Sequence, residues 1–467
     1  HSRPVGLKTY FRMARGDHGI RGAAPLEMTK WFDTNYHYLV PEFRPEESFP
    51  AAAHDLAAQL DEAKALGIVP KAVLPGPITY LSLGKSTQAG FDKWTLLDRL
   101  TRAYRTLIGE CAKRCDWIQL DEPVLAADLT LEEKLRFEPL YHLLSEAAGD
   151  ARIMMATYFG DIRHNADVIA GLPVDCLHVD LVRAPSQIHD LAGILPAGTK
   201  VSLGIVDGRN VWRTDLEASA ALVDECIGIL GIERIMIAPS CSLIHAPVDL
   251  DRETEMDEKL RERLAFAVQK CREVRVIANT VSGKRTASHI GIPSSAAGNA
   301  RYDDPEVRAR METITGDMYH RASSYENRRI ARKNRLNLPS YPTTTIGSFP
   351  QTDEIRTARK AYAGGDIQQP EYERHLRDYI ADCIHRQENI GLDVLVHGEP
   401  ERNDMVEYFG GLLNGVCITR NGWVQSYGTR CVKPTVIYGD VSRRGPMTVP
   451  WIAYARSLTR KPVKGML

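Results

Sequence analysis

From Lys71 to Thr280 the chain repeats one pattern: a short β-rich run that ends in Gly, Pro, Asp or Ser, then an amphipathic stretch. The runs are KAVLPGP (71–77), WIQLDEP (117–123), RIMMATYF (152–159), CLHVDLV (176–182), KVSLGIVDG (200–208) and RIMIAPS (234–240). Strands that alternate with helices predict parallel βαβ units, because a parallel neighbour needs a crossover long enough to hold a helix. The spacing inside the intervening stretches agrees. Leu97, Leu100, Tyr104, Leu107 and Cys111 recur at i+3/i+4, one face of a helix over 96–111. Residues 252–274 read as a second such helix, acidic early and basic late, as the helix dipole favours. The expected fold class is α/β.

Polar residues gather where the runs end: Asp121 and Glu122, Asp180 and Arg183, Asp207 and Arg209, Ser240 and Cys241. In a TIM-type (β/α)8 barrel that C-terminal rim is where sites are built. Six units are present where a barrel needs eight, so residues 1–281 are expected to form an N-terminal barrel that lacks two units.

Residues 282–340 break the pattern. A Gly/Ser/Ala-rich loop gives way to polar helix with more basic than acidic residues, which reads as a partly helical interdomain connector. Aromatic side chains for base stacking are few there. With 59 Lys+Arg against 60 Asp+Glu overall, nothing global favours nucleic acid or an anionic membrane as a partner. From Tyr341 the strand pattern resumes with TTTIGSFP (343–350) and DVLVHGEP (393–400), separated by a helix over 371–391 with Gly391 near its C-terminal cap. Residues 341–467 are therefore expected to form the first part of a second barrel, being about half of the ~250 residues a barrel usually takes. An alternative arithmetic lends these later strands to the first barrel and closes it at eight.

EMTKWF (27–32) and DMVEYF (404–409) share an acid, a Met, two variable positions, an aromatic and a Phe, an echo expected of a duplication. The closing KPVKGML resembles the start of PKAVLPGP (70–77) and stops inside a βα unit, and the chain opens on His rather than Met, so both ends are expected to be cut points. No run of 18 apolar residues and no apolar leader occurs. Nine scattered cysteines without a CxxC pair predict neither a disulfide framework nor a zinc knuckle, and a reducing cytoplasm is expected.

Longer motifs narrow the reading. EMTKWFDTNYHYLVPEF, WIQLDEPVL, LHVDLVRAP, GRNVWR, SCSLIHAPVDL, YPTTTIGSFPQTDEIR, LVHGEPERNDMVEYFG and NGWVQSYGTRCVKP resemble the cobalamin-independent methionine synthase family, in order and over essentially the whole chain. The resemblance implies two face-to-face (β/α)8 barrels with the active site chiefly on the second. It implies methyl transfer from 5-methyltetrahydropteroyltri-L-glutamate to the thiolate of L-homocysteine, giving methionine, with zinc holding the sulfur. Coordination deprotonates a thiol at neutral pH, and a departing tertiary amine needs a proton.

The matching positions follow from the same resemblance. Ile346, Gly347 and Ser348 match a homocysteine contact, where glycine lets the backbone come close and the hydroxyl can bond a carboxylate. Glu399 of the HGE motif matches the carboxylate that holds the substrate's ammonium. His397 beside a glutamate is not a zinc set, and Glu401, Arg402 and Asp404 read as a structural ion network. Arg430 and Cys431 match a folate-contacting pair, and Lys30 a residue that reaches the folate's glutamate tail.

The family's zinc ligands (two Cys, a His and a Glu) and its acid histidine are expected beyond the equivalent of Leu467. Ala156, Thr157 and Tyr158 stand at the first barrel's counterpart of the metal-binding positions and cannot hold zinc; Asp121, Glu122 and Cys241 are look-alikes on the non-catalytic copy. No metal or catalytic residue is thus assigned, and this chain alone is expected to be inactive and marginally stable. The competing expectation is a non-catalytic folate- and homocysteine-binding fragment or pseudoenzyme.

Overall fold

The computed structural model describes residues 5–17, 24–283 and 302–465. Most of the loop expected after 282, and the last two residues, lie outside the described residues. The chain divides into two compact units. The first comprises His1–Ala297 with Asn421–Val432, the second Gly298–Arg420 with Lys433–Leu467.

The first unit is built on a parallel sheet of β1 (Ala72–Pro75), β2 (Trp117–Asp121), β3 (Arg152–Ala156), β4 (Cys176–Asp180), β5 (Lys200–Val206) and β6 (Ile235–Pro239). Its spatial order is the sequence order, β1 to β6, so every predicted run becomes a strand and each pairs with the next. Among the described residues β1 pairs only with β2, and β6 only with β5. Among the described residues the sheet takes no strand from beyond 239, and the runs 343–350 and 393–400 do not join it, contrary to the arithmetic that closed it with them.

Burial follows position. All five residues of β4 are buried, as a strand covered on both faces requires, whereas the edge strand β6 is half-buried throughout. The helix Leu97–Ala112 lays Leu100, Tyr104, Ile108 and Cys111 into a core shared with Ile118, Leu120, Phe137, Tyr141 and Leu144.

The single helix expected over 252–274 is not formed. A short helix, Glu258–Arg261, is followed by an extended break and then Ala267–Val281. The break has a tertiary cause. Leu264 forms a bridge with Trp212, Ala265 donates its N–H to Val211 O at 2.8 Å, and Leu264, Ala265 and Phe266 are fully buried. Pairing and burial there outweigh the helical spacing.

In the second unit, the helix expected over 371–391 is Gln369–Ile390, capped by Gly391 at φ 89°. The runs 343–350 and 393–400 are not regular strands. They lie side by side through a single parallel bridge, Ser348 with Gly398, and a few backbone bonds such as Val394 N–H to Thr343 O at 3.0 Å. Part of the reason is local: the Asp393 carboxylate takes both the N–H and the hydroxyl of Thr343, so side-chain bonds replace ladder bonds at that end. Val463 bridges Leu395 in parallel, so residues 461–465 lie beside the run that leads into HGE. A long antiparallel pair, Leu413–Cys417 with Val436–Arg443, completes the unit.

The connector's described part forms the helices Pro305–Glu312 and Tyr325–Leu336, neither with a buried residue. Its start is fixed to the antiparallel pair: Arg308 Nε meets Asp440 at 2.6 Å and the ring of Tyr302 packs edge-on against Tyr438.

Candidate functional site

In the second unit the apolar run Val394–Val396 carries the chain inward to His397, Glu399, Glu401 and Arg402, all buried. Gln387 fixes this run by accepting the N–H of Val396 at 2.9 Å and donating to its carbonyl at 2.8 Å. Gly398 (φ 86°) and Glu399 (φ 58°) then turn through left-handed backbone, a conformation that is strained for the glutamate. At Gly398 a side chain would also meet Phe349 at 3.0 Å, and Phe349 N–H donates to Gly398 O at 3.1 Å. These contacts bring Ile346–Gly347–Ser348 beside Glu399. Gly347 is buried, while Ile346 and Ser348 are exposed.

The four charged or polar groups form one chain. Arg402 Nη1 donates to Glu399 Oε2 at 3.1 Å, Arg402 Nε lies 3.4 Å from Glu401 Oε1, and His397 Nε2 lies 3.1 Å from the same oxygen. The Arg402 guanidinium sits 4.8 Å from the centre of the Phe409 ring. Arg359 Nη2 clamps the turn from behind, donating to Pro400 O at 2.6 Å and Arg402 O at 3.1 Å. Asp404 does not join this chain. Its carboxylate caps the helix Met405–Gly411 by accepting from the N–H groups of Val406 and Glu407.

Lys30, Arg430 and Cys431 meet in the first unit, although about 400 residues separate the lysine from the other two. Lys30 pairs with His37 across the strands Met28–Lys30 and His37–Leu39. His37 donates its N–H to Ser426 O at 2.8 Å, and Ser426 donates its N–H to Arg430 O at 2.9 Å. Cys431 pairs with Gln425. The two hairpins are separate two-stranded sheets joined by the His37–Ser426 backbone bond, and three backbone steps of ~4.8 Å put the backbones of Lys30 and Arg430 roughly 14 Å apart. All three side-chain positions are exposed. Gly428 makes the tight end of this hairpin at φ 58°, packed on Ala14 and Met28. The long-range pairing left no trace in the local sequence, where the only signal was the motifs themselves.

The acids at the first sheet's rim are used by the fold. Glu122 is fully buried and accepts from Ile78 N–H (3.1 Å), Thr79 N–H (2.7 Å), Thr79 Oγ1 (2.6 Å) and Tyr141 OH (3.1 Å). Burial nevertheless pushes its pKa up to about 7. Asp121 accepts from Gln119 and Tyr158, and burial raises its pKa too. Buried His178, between Ser202 Oγ and Ser240 O, is pushed down to about 4. Cys241 is buried, with its thiol pushed up to about 12, so it is not poised as a thiolate.

No group of three or more His, Cys, Asp or Glu among the described residues is placed to hold a metal ion, so the residues present do not fit a zinc site. No helix among the described residues is long and apolar enough to cross a membrane.

Two family profiles match: "Cobalamin-independent synthase, N-terminal domain" over residues 1–230, and "Cobalamin-independent synthase, Catalytic domain" over residues 341–467. Curated proteins named 5-methyltetrahydropteroyltriglutamate–homocysteine methyltransferase are similar throughout. That of Syntrophotalea carbinolica is 50% identical over 99% of this chain and 62% of its own length; that of Nitratidesulfovibrio vulgaris is 51% identical over 98% and 61%. The chain thus spans a little over three-fifths of the length of these relatives. A solved B12-independent methionine synthase from Shewanella sp. W3-18-1 aligns at a TM-score of 0.39 and 16% identity, over 55% of this chain and 74% of that one. With both of its parts matched in order, the chain belongs to the cobalamin-independent methionine synthase family.

Proposed function

We propose that this chain supplies the substrate-holding parts of a methyl transfer from 5-methyltetrahydropteroyltri-L-glutamate to L-homocysteine. In this reading the sulfur of homocysteine bonds the N5-methyl carbon as the C–N bond breaks, the electron pair goes to N5, and N5 takes a proton, giving methionine. Zinc, in the full-length family form, would supply the thiolate. No such site is made among the described residues, and in this reading the chain by itself binds and orients without turnover, in a reducing cytoplasm that suits its free cysteines.

The observation that carries the proposal is the joining of the two hairpins that bear Lys30 and Arg430 with Cys431. Two exposed basic residues whose backbones lie roughly 14 Å apart suit a ligand with several carboxylates in a row, which a glutamate tail has and a single amino acid lacks. On the second unit, Glu399 would take the ammonium of homocysteine, with Ile346, Gly347 and Ser348 beside its carboxylate end. Calorimetric titration with the folate triglutamate and the monoglutamate tests this directly. The proposal expects saturable heat with the triglutamate and clearly weaker binding of the monoglutamate; equal affinity for the two would sink it.

A further inference from the structure

Two buried carboxylates, Glu399 and Glu401, share one guanidinium, that of Arg402. His397 Nε2 lies 3.1 Å from Glu401 Oε1, so the four side chains form one buried network. Arg402 is held on several sides: its Nε lies 3.4 Å from Glu401 Oε1, its face lies on Phe409, and its backbone carbonyl accepts from Arg359.

We propose that Arg402 is a positioning residue for substrate: it pins Glu399 Oε2 so that Oε1 is presented to the ammonium of the amino-acid substrate, and Glu401 with His397 holds Arg402 in that pose. The inference rests on the reading of Glu399 as the ammonium anchor. It assigns the specificity for an α-amino group to a relay of four side chains rather than to one carboxylate. A lysine in place of Arg402 would keep the charge but could not bridge Glu399 and Glu401, because an ammonium is a point donor where the guanidinium is a fork.

The test compares L-homocysteine with 4-mercaptobutanoate, which lacks only the ammonium, by calorimetry on the chain and on Arg402→Lys, Glu399→Gln and the double variant Glu401→Gln/Arg402→Met. The unsubstituted chain should prefer homocysteine by at least about tenfold, and Arg402→Lys should reduce that preference to about threefold or less while leaving mercaptobutanoate binding unchanged. A merely structural arginine would weaken both ligands together. Should Arg402→Lys fail to fold by circular dichroism, the double variant, which removes the buried pair together, must show the same loss of preference. Preference retained in a folded Arg402 variant but lost in Glu399→Gln overturns the positioning role alone. Preference retained in Glu399→Gln overturns the anchor itself.

Discussion

Two Glu-Pro dipeptides end strand-like runs in this chain, Glu122-Pro123 in the first unit and Glu399-Pro400 in the second, and both glutamates are buried. Glu122 is consumed by its own fold. It receives four hydrogen bonds, two from the backbone that opens the helix Pro77–Leu83, and a side chain at Gly76 would sit 2.0 Å from its Cδ. Glu399 receives one side-chain bond, from Arg402, and sits on strained backbone. A carboxylate whose lone pairs are filled by N–H and O–H donors of the chain is a cap. One held by a single guanidinium on one oxygen retains the capacity to take a ligand cation.

The largest expected effect sharpens this contrast. Glu399→Gln should weaken L-homocysteine binding by about 100-fold, because a buried charge partner is lost, and should also lower the melting temperature, because the buried Arg402 loses a carboxylate. Glu122→Gln should alter stability alone. If both substitutions alter binding, the distinction between cap and anchor is broken.

Next in size is the pH dependence of stability in the first unit. Between its ordinary 4.5 and about 7, folded Glu122 holds a proton that the unfolded chain has released, so its contribution declines as pH rises through that window. His178 acts oppositely. Between about 4 and 6.5 the unfolded chain binds a proton that the buried ring refuses, so stability climbs with pH there. The two oppose each other up to 6.5, above which only the Glu122 slope remains. Urea denaturation across pH 4–8 should show that remaining decline above 6.5, and Glu122→Gln should flatten it.

The exposed pair of hairpins should be less sensitive. Lys30→Ala and Arg430→Ala are each expected to weaken the folate triglutamate by roughly threefold to tenfold at low salt, with most of the difference gone at 0.5 M salt, since exposed charges are screened. An undiminished effect at high salt would mean that these side chains become buried on binding, unlike their free state. The smallest effect is expected at Gly428, where alanine must adopt φ 58° and meets Ala14 at 3.3 Å, costing about 1 kcal/mol of stability.

How legible all this was depended on how local its cause is. The six strands of the first sheet were readable because each run is β-rich, closed by a polar or turn residue and followed by helical spacing. The helix over 252–274 misled because its spacing carries no sign that Leu264 would pair with Trp212. The runs around Gly347 and Gly398 read as strands from apolar content, yet Thr343 spends its donors on the Asp393 side chain. At the candidate site, a carboxylate after an apolar run was visible in HGE. An ion network of Glu401, Arg402 and Asp404 was expected beside it, but its membership was not legible: Arg402 joins Glu399 and Glu401, whereas Asp404 caps a helix.

The hairpin Val424–Val432 lies within Asn421–Val432 of the first unit, while the chain up to Arg420 and from Lys433 belongs to the second. The covalent chain therefore passes from one unit to the other three times rather than once. A protease that nicks any one passage would split the chain into two fragments, at least one of which carries residues of both units, so no single cut yields two fragments that each correspond to one unit. Synthesis from the N-terminus imposes an order as well: the hairpin that carries Lys30 stays without its backbone bond to Ser426 until translation has run beyond residue 432. Fragments ending near 297 are thus expected to expose His37 N–H and to bind glutamylated folate poorly, however well their sheet folds.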